Sequence, residues 1–230
     1  MIETERLILK PLTHGQLVKY IQNDQSLEEE LNLNQSSRTI SAELKEAMEQ
    51  TILPNVADSD KDYLFSTLWT VISKDGHEMV GDLCFVGEPN AVGEIEIGYG
   101  TYEKFRKKGF MTEAVKGIIT WATAQPNVKS IFAGTEKSNI ASFSVLEKNH
   151  FMKFGETDTI RPDTSATSVV SVLGLTAPWE RTAKFSEATS AGIASTRTVR
   201  SVASFWSGRL LLATVTITTT ASTDRMINPS

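Results

Sequence analysis

The stretch Phe105-Arg106-Lys107-Lys108-Gly109-Phe110-Met111-Thr112-Glu113-Ala114 decides the fold, because it joins a strand to a helix through a cationic, glycine-bearing turn. Just upstream, Gly93 to Tyr102 reads as a strand. Glu94, Glu96 and Gly98 share one face by period 2, and Ile95 and Ile97 share the other. Downstream, Ala114, Val115, Ile118, Ile119, Trp121 and Ala122 recur at helical spacing. Strand, turn and helix amino terminus therefore follow one another, and the alternation from residue 93 onward is that of an α/β unit.

A helix start presents backbone N–H groups that have no partner within the helix, and the helix dipole adds positive charge there. Arg106, Lys107 and Lys108 contribute three cations, and Gly109 allows close approach of the backbone to a ligand. The turn through Phe110, Met111 and Thr112 is thus a candidate anion site suited to a pyrophosphate. It is neither a Walker loop nor a dinucleotide fingerprint, since it carries a single glycine. A solvated basic turn is the plainer reading of the same residues.

Working outward, Arg6 to Leu12 reads as a first strand closed by Pro11, and Thr13 caps a helix over 15 to 22 with Leu17, Tyr20 and Ile21 inward. Ser41 opens a second amphipathic helix expected to end before Pro54. Tyr63 to Ser73 and His77 to Gly87 form a hairpin about Lys74-Asp75-Gly76. Val128 to Ala133 is a strand, Asn139 to Asn149 a helix, and Phe151 begins another strand. Beyond it, Ser168 to Leu175 and Leu210 to Thr220 are strand-prone by β-branching, and the residues between them have no clean period.

The order of these segments resembles the GNAT acetyltransferase superfamily, and more narrowly the branch of ribosomal-protein amino-terminal acetyltransferases. The residues that carry the resemblance are Glu3-Thr4-Glu5-Arg6-Leu7, Val80-Gly81, Glu96-Ile97-Gly98-Tyr99, Arg106-x-x-Gly109-x-Met111-Thr112-Glu113-Ala114, Asn139-x-x-Ser142 and Glu147-Lys148-Asn149-x-Phe151. They span about residues 2 to 156. The fold so implied is α/β, a central twisted mixed sheet flanked by helices. The activity implied is acetyl transfer from acetyl-CoA to a primary amine, without a metal.

The resemblance also implies roles. The coenzyme's pyrophosphate would rest on the Arg106 to Thr112 loop. Its pantetheine arm would run along Ile97, Gly98 and Tyr99 where two strands splay apart, with Asn139 reaching it from the next helix. Glu96 is the candidate general base, and Ser142 a candidate proton donor or water holder. The tyrosine acid of many relatives is absent here, its position falling near Leu146. Met111, in place of the family's Gly or Ala, is expected to narrow the space beside the pyrophosphate. His150 stands where the family has glycine, at a cost of about 1 kcal/mol if the backbone there is left-handed. The acceptor would be a small-molecule amine or a protein amino terminus, and the chain a monomer or homodimer. A catalytically impaired acyl-CoA-binding sensor or scaffold, and a nucleotide-binding module, are the rival readings.

Composition adds limits. With 230 residues, 40% hydrophobic and 22% charged, the chain is of ordinary globular type. Its net charge of -5 argues against a nucleic-acid binder. One cysteine, Cys84, and three histidines cannot make an internal disulfide or a clustered zinc site. An acidic amino terminus and no long apolar run predict a cytoplasmic protein without a membrane span. Glu28, Glu29 and Glu30 read as a solvated charge run that could also draw a cationic acceptor.

The averages hide a seam near residue 156. Residues 1 to 155 hold 13 Lys, 3 Arg, 16 Glu and 6 Asp, a net -6; the remaining 75 hold 1 Lys, 6 Arg, 3 Glu and 3 Asp, a net +1. Ser plus Thr rises from 22 in the first part to 26 in the much shorter second. We therefore expect an acetyltransferase-like domain over 1–156 and an atypical Ser/Thr-rich extension over 157–230. That extension is either a loosely ordered tail or one translated from DNA not selected with the first part; it shows no match to the two strands with which the family closes its sheet, although Ser168 to Leu175 or Leu210 to Thr220 could stand in as replacement strands.

Overall fold

The computed structural model describes residues 1–160, 167–176, 196–203 and 211–218. The β-prone segments become β1 (Ile2–Glu3), β2 (Leu7–Pro11), β3 (Leu68–Ser73), β4 (Glu78–Phe85), β5 (Glu94–Thr101), β6 (Ser130–Glu136), β7 (Met152–Ile160) and β8 (Thr167–Thr176). These eight form one sheet in the order β1-β2-β3-β4-β5-β6-β8-β7. Neighbours are antiparallel except β5 and β6, which run parallel. A parallel pair needs a long crossover, and helix α6 (Phe110–Thr123) supplies it.

The helices that precede the sheet's centre are α1 (His14–Gln22), α2 (Ser26–Glu30), α3 (Ala42–Ala47), α4 (Leu53–Ala57) and α5 (Tyr63–Ser66). Thr13 starts α1 through a reciprocal pair of bonds with Gln16, so the expected cap is a full capping box. Two boundaries differ from expectation. The helix opened by Ser41 continues past Pro54 through a π-helical turn over Met48–Ile52, because proline in the first turn of α4 has no N–H to leave unpaired. Tyr63–Ser66 is a short helix rather than strand, started by the Asp62 side chain accepting from the Leu64 N–H.

The two faces of the sheet differ. Toward α6, Trp121 packs on Trp69 and Phe65 at 5.3 Å between ring centres, and on Phe85 at 5.9 Å. Toward α1, Tyr20 and Asp82 are both buried and bonded to each other. Helix α7 (Ile140–Lys148) follows β6, with Leu146 fully buried.

Past residue 156 the main sheet continues. β7 and β8 form a hairpin, and β8 lies between β6 and β7, so Ser168 to Leu175 takes the place in the sheet that a replacement strand was expected to fill. The segment around 210 to 220 does not: β10 (Leu211–Thr218) pairs with β9 (Thr196–Ala203) in a separate two-stranded sheet. β9 falls where no period was read, because Arg197 and Arg200 interrupt its β-branched residues. Among the described residues no helix is long and apolar enough to cross a membrane.

Candidate active site

β5 pairs with β6 only over Glu94 to Glu96, and with β4 over Ile97 to Thr101. β6 meanwhile stays paired to β8 as far as Glu136. The sheet therefore opens between β5 and β6 just beyond Glu96. On β5 the Glu96 carbonyl accepts from Val86 N–H, and Tyr102 N–H donates to Val80 O. By strand alternation, Gly98 turns its main-chain groups to β4, and Ile97 and Tyr99 turn theirs to the opening. Unpaired strand groups beside a gap form a template for one more extended, amide-bearing chain.

Side chains around the gap divide by face. Glu96, half-buried, lies on the α1 side with Asp82 and Cys84, which pair in register with Gly100 and Gly98. Burial pushes the Cys84 thiol up to about 12, with Glu96 and Asp82 adding to the effect, so the thiol is inert. Burial likewise raises Asp82 to about 6 against the bonds from Tyr102 and Tyr20. On the opposite face the Tyr99 hydroxyl donates to Ser142 O at 3.1 Å and lies 3.0 Å from Ser142 Oγ on α7. Burial holds that phenol well above its ordinary range. Asn139 caps α7, its Oδ1 accepting from Ser142 N–H at 3.0 Å, so the oxygen is engaged and the amide NH2 is its remaining donor.

The cationic loop lies where the sequence placed it. Arg106, Lys107 and Lys108 are exposed; Lys107 and Gly109 both have positive φ, at 63° and 79°. Gly109 begins α6 without a side-chain cap, so no capping side chain takes the first-turn amides of Phe110, Met111 and Thr112. Met111 does not narrow this site. Its side chain is buried, with Cε 3.0 Å from the position a Cβ on Gly81 would take, because its place in the first turn faces the sheet.

Three features escaped the sequence reading. Glu113 accepts from Thr4 Oγ1 at 2.6 Å, Arg6 N at 2.8 Å and Arg6 Nε at 2.7 Å, tying the amino-terminal segment to α6. All three residues stood within the motifs that carry the resemblance, which was the available signal. Glu28 is not solvated: it is buried in an ion pair with Arg38 and bonded to Ser36, and Glu30 pairs with Lys19, so among the described residues only Glu29 of that run is exposed with no ion pair. Finally, a cleft of about 620 Å³ lies between α6 and the end of α7, rimmed by Lys116, Lys148 and His150 over Ile119 and Phe151. Asn149, also in its wall, donates to Thr112 O at 3.2 Å and so ties the end of α7 to α6, while the cleft itself lies further along α6 at Lys116, Ile119 and Thr120.

The site is thus built on a mixed sheet that parts between two parallel strands, beside an uncapped helix start. A model of the Acetyltransferase (GNAT) domain matches residues 6–152, and the chain belongs to that family. An uncharacterized N-acetyltransferase, YjdG of Bacillus subtilis, is 39% identical over 84 residues, which are 36% of this chain and 50% of that protein. A second, p20 of Bacillus licheniformis, is 31% identical over 87 residues, 38% of this chain and 49% of that protein. The chain thus spans about half the length of these two relatives.

Solved structures share the fold at low identity. A GNAT acetyltransferase from Bacillus anthracis aligns with a TM-score of 0.54 at 17% identity, over 76% of this chain and 97% of that one. The ribosomal L7/L12 α-N-protein acetyltransferase RimL in complex with coenzyme A gives 0.55 at 17%, over 75% and 95%. The ribosomal-protein-S5-alanine acetyltransferase of Vibrio fischeri gives 0.55 at 18%, over 76% and 94%.

Proposed function

We propose that this chain transfers an acetyl group from acetyl-CoA to a primary amine. One observation carries the reading: the opening beside Ile97 and Tyr99 and the uncapped, cation-flanked start of α6 lie on consecutive segments of chain, with no more than the turn from Tyr102 to Gly109 between them. An acyl-CoA consists of an amide-bearing arm, a pyrophosphate and a phosphorylated nucleoside, and the residues present fit each part. Ile97 and Tyr99 main-chain groups and the Asn139 amide suit the arm. The amides from Gly109 to Thr112, with Arg106, Lys107 and Lys108, suit the pyrophosphate. Lys116, Lys148 and His150, over an apolar floor, suit the phosphorylated adenosine.

When bound, acetyl-CoA supplies an activated thioester, whose acetyl group passes to the amine nitrogen as the thiolate departs. Glu96 receives the ammonium proton on the α1 side, directly or through a water. Ser142 Oγ, joined to Tyr99 Oη on the opposite side, gives a proton to the departing sulfur. With base and acid on opposite faces of the opening, the proton taken from the amine and the proton given to the sulfur are handled by separate groups, as direct attack through a tetrahedral intermediate allows. Burial keeps the Tyr99 phenol protonated over the working range, so the hydroxyl pair retains its O–H groups for hydrogen bonding to the departing sulfur. The acceptor is a small amine or a protein amino terminus, entering from the α1 side.

Calorimetric titration with acetyl-CoA and with ATP tests the reading, followed by thiol release over a panel of polyamines, aminoglycosides and peptides with free amino termini. We expect acetyl-CoA to bind about tenfold or more tighter than ATP, with release for at least one amine. Equal or stronger binding of ATP overturns the coenzyme assignment; binding without release over the whole panel overturns the catalytic one.

A further inference from the structure

We propose that Arg6 is a positioning residue that aims the anion-binding amides at the start of α6, an inference that rests on the proposed coenzyme site. Arg6 Nη1 donates to the carbonyl of Lys108 at 3.2 Å. In a trans peptide the carbonyl oxygen and the following N–H lie in one plane and point in opposite directions. Drawing Lys108 O toward Arg6 therefore turns the Gly109 N–H away from it, outward from the amino-terminal segment. The next plane is fixed by the helix itself, since Gly109 O accepts from Glu113 N–H at 3.2 Å. Between these two restraints lies Gly109 at a φ of 79°, a conformation that glycine alone adopts without strain and that a loose loop would not hold.

Arg6 is itself held. Glu113 takes Arg6 Nε and Arg6 N on its two carboxylate oxygens and Thr4 Oγ1 as a third donor, and the Arg6 guanidinium lies 4.9 Å from the centre of the Phe110 ring. Partial burial works to raise the Glu113 carboxyl, but the bonds from Thr4 and Arg6 outweigh it and leave the acid below its ordinary value, hence ionised. The fork geometry is essential, because a guanidinium bonds a carboxylate through Nε and a carbonyl through Nη1 at once, and an ammonium on a flexible stem does not. Arg6 thus connects an anchored acid to a backbone carbonyl one residue ahead of the site.

Arg6→Lys, Glu113→Gln and the double variant test this in the full chain, with dissociation constants for coenzyme A and for inorganic pyrophosphate, the KM and kcat split, and the melting temperature of the free protein. We expect each single substitution to weaken both ligands about tenfold, the size of one lost charge-assisted bond. KM for acetyl-CoA should rise in step, kcat stay within about twofold, and the double variant be no worse than the worse single, because the two residues act as one brace. Unchanged affinities in a folded variant, additive losses, or a fall in kcat at constant KM would each overturn the proposal. Should Arg6→Lys fail to fold, Thr4→Val removes only the third donor to Glu113 and is expected to weaken pyrophosphate about threefold; no change there overturns it equally. Pyrophosphate separates the two readings: if wild type binds it but not coenzyme A, the coenzyme assignment fails while the brace is still measured. If wild type binds neither, both fail.

Discussion

Tyr99 on β5 and Ser142 on α7 meet hydroxyl to hydroxyl at 3.0 Å across the opening in the sheet, and the same Tyr99 oxygen also reaches the Ser142 carbonyl at 3.1 Å. One side chain thereby spans the opening on the α6 face and fixes the first turn of α7, where Asn139 and Ser142 both stand. The two bonds differ in what a substitution removes. Tyr99→Phe loses both, and Ser142→Ala loses only the hydroxyl partner.

Tyr99→Phe should therefore cost about 1 kcal/mol of stability, with Ser142→Ala costing less than half of that. If the hydroxyl pair donates to the leaving thiolate, kcat should fall about a hundredfold in either variant, at the low end for a general acid. Thermal melts and steady-state kinetics of the two proteins side by side check this. A fall in melting temperature without loss of kcat would make the pair structural only.

How much of this was legible beforehand depends on the range of the interaction. Local signals read well: the alternation of Glu94 and Glu96 with Ile95 and Ile97, the Thr13 cap and the helix start at Gly109 need only neighbours. Tyr63, Leu64 and Phe65 read as strand by their side chains, and a single bond from Asp62 to the Leu64 N–H made them helix. Pairings between distant residues left no local mark. The insertion of β8 between β6 and β7, the burial of Glu28 by Arg38 and the three bonds on Glu113 are all set by register and packing, which periodicity does not encode.

Asp82 makes stability depend on pH in an unusual direction. Burial raises its folded-state pKa to about 6 from an ordinary value of 3.8. Between these values the folded protein binds more protons than the unfolded chain, so stability falls as pH rises through that window. The loss should be on the order of 2 to 3 kcal/mol, complete above about pH 6. Asp82→Asn keeps an acceptor for Tyr20 and removes the charge. Urea unfolding from pH 4 to 8 should show wild type losing stability relative to this variant; parallel curves would refute the assignment.

His150 has a φ of 64°, and its side chain is exposed. A non-glycine residue there costs about 1 kcal/mol, and its backbone N–H bond to Glu147 O at 2.9 Å does not need the imidazole. His150→Gly should raise the melting temperature by roughly 2 to 4 °C for a protein of this size. Scanning calorimetry on the full chain decides it, and a lower melting temperature would show that the imidazole holds something at the cleft.

Gly81 tolerates no side chain. A Cβ there would lie inside contact distance of the Gly100 carbonyl oxygen on β5, which is backbone and cannot swing away. Gly81→Ala should force β4 and β5 apart beside the opening, destabilising by about 2 to 3 kcal/mol, as overpacking does elsewhere. Denaturant unfolding measures the loss, and a cost under about 0.5 kcal/mol would mean that the strands yield freely.

Glu96→Gln isolates the proposed base. The substitution keeps size and hydrogen bonding on the α1 face of β5 and removes only the capacity to take a proton. Because Glu96 lies on the face opposite the Tyr99 and Ser142 pair, coenzyme affinity should be unchanged while kcat falls about 10²- to 10³-fold. A base must be unprotonated to act, so any acidic limb of the wild-type rate that belongs to the base should vanish in the variant. The amine's own titration contributes a second limb at higher pH, which should survive. Rate profiles of both proteins with one acceptor, together with acetyl-CoA titrations, separate the cases: an unaltered profile and rate would move the base elsewhere on the α1 face, with Asp82 the next acid along it.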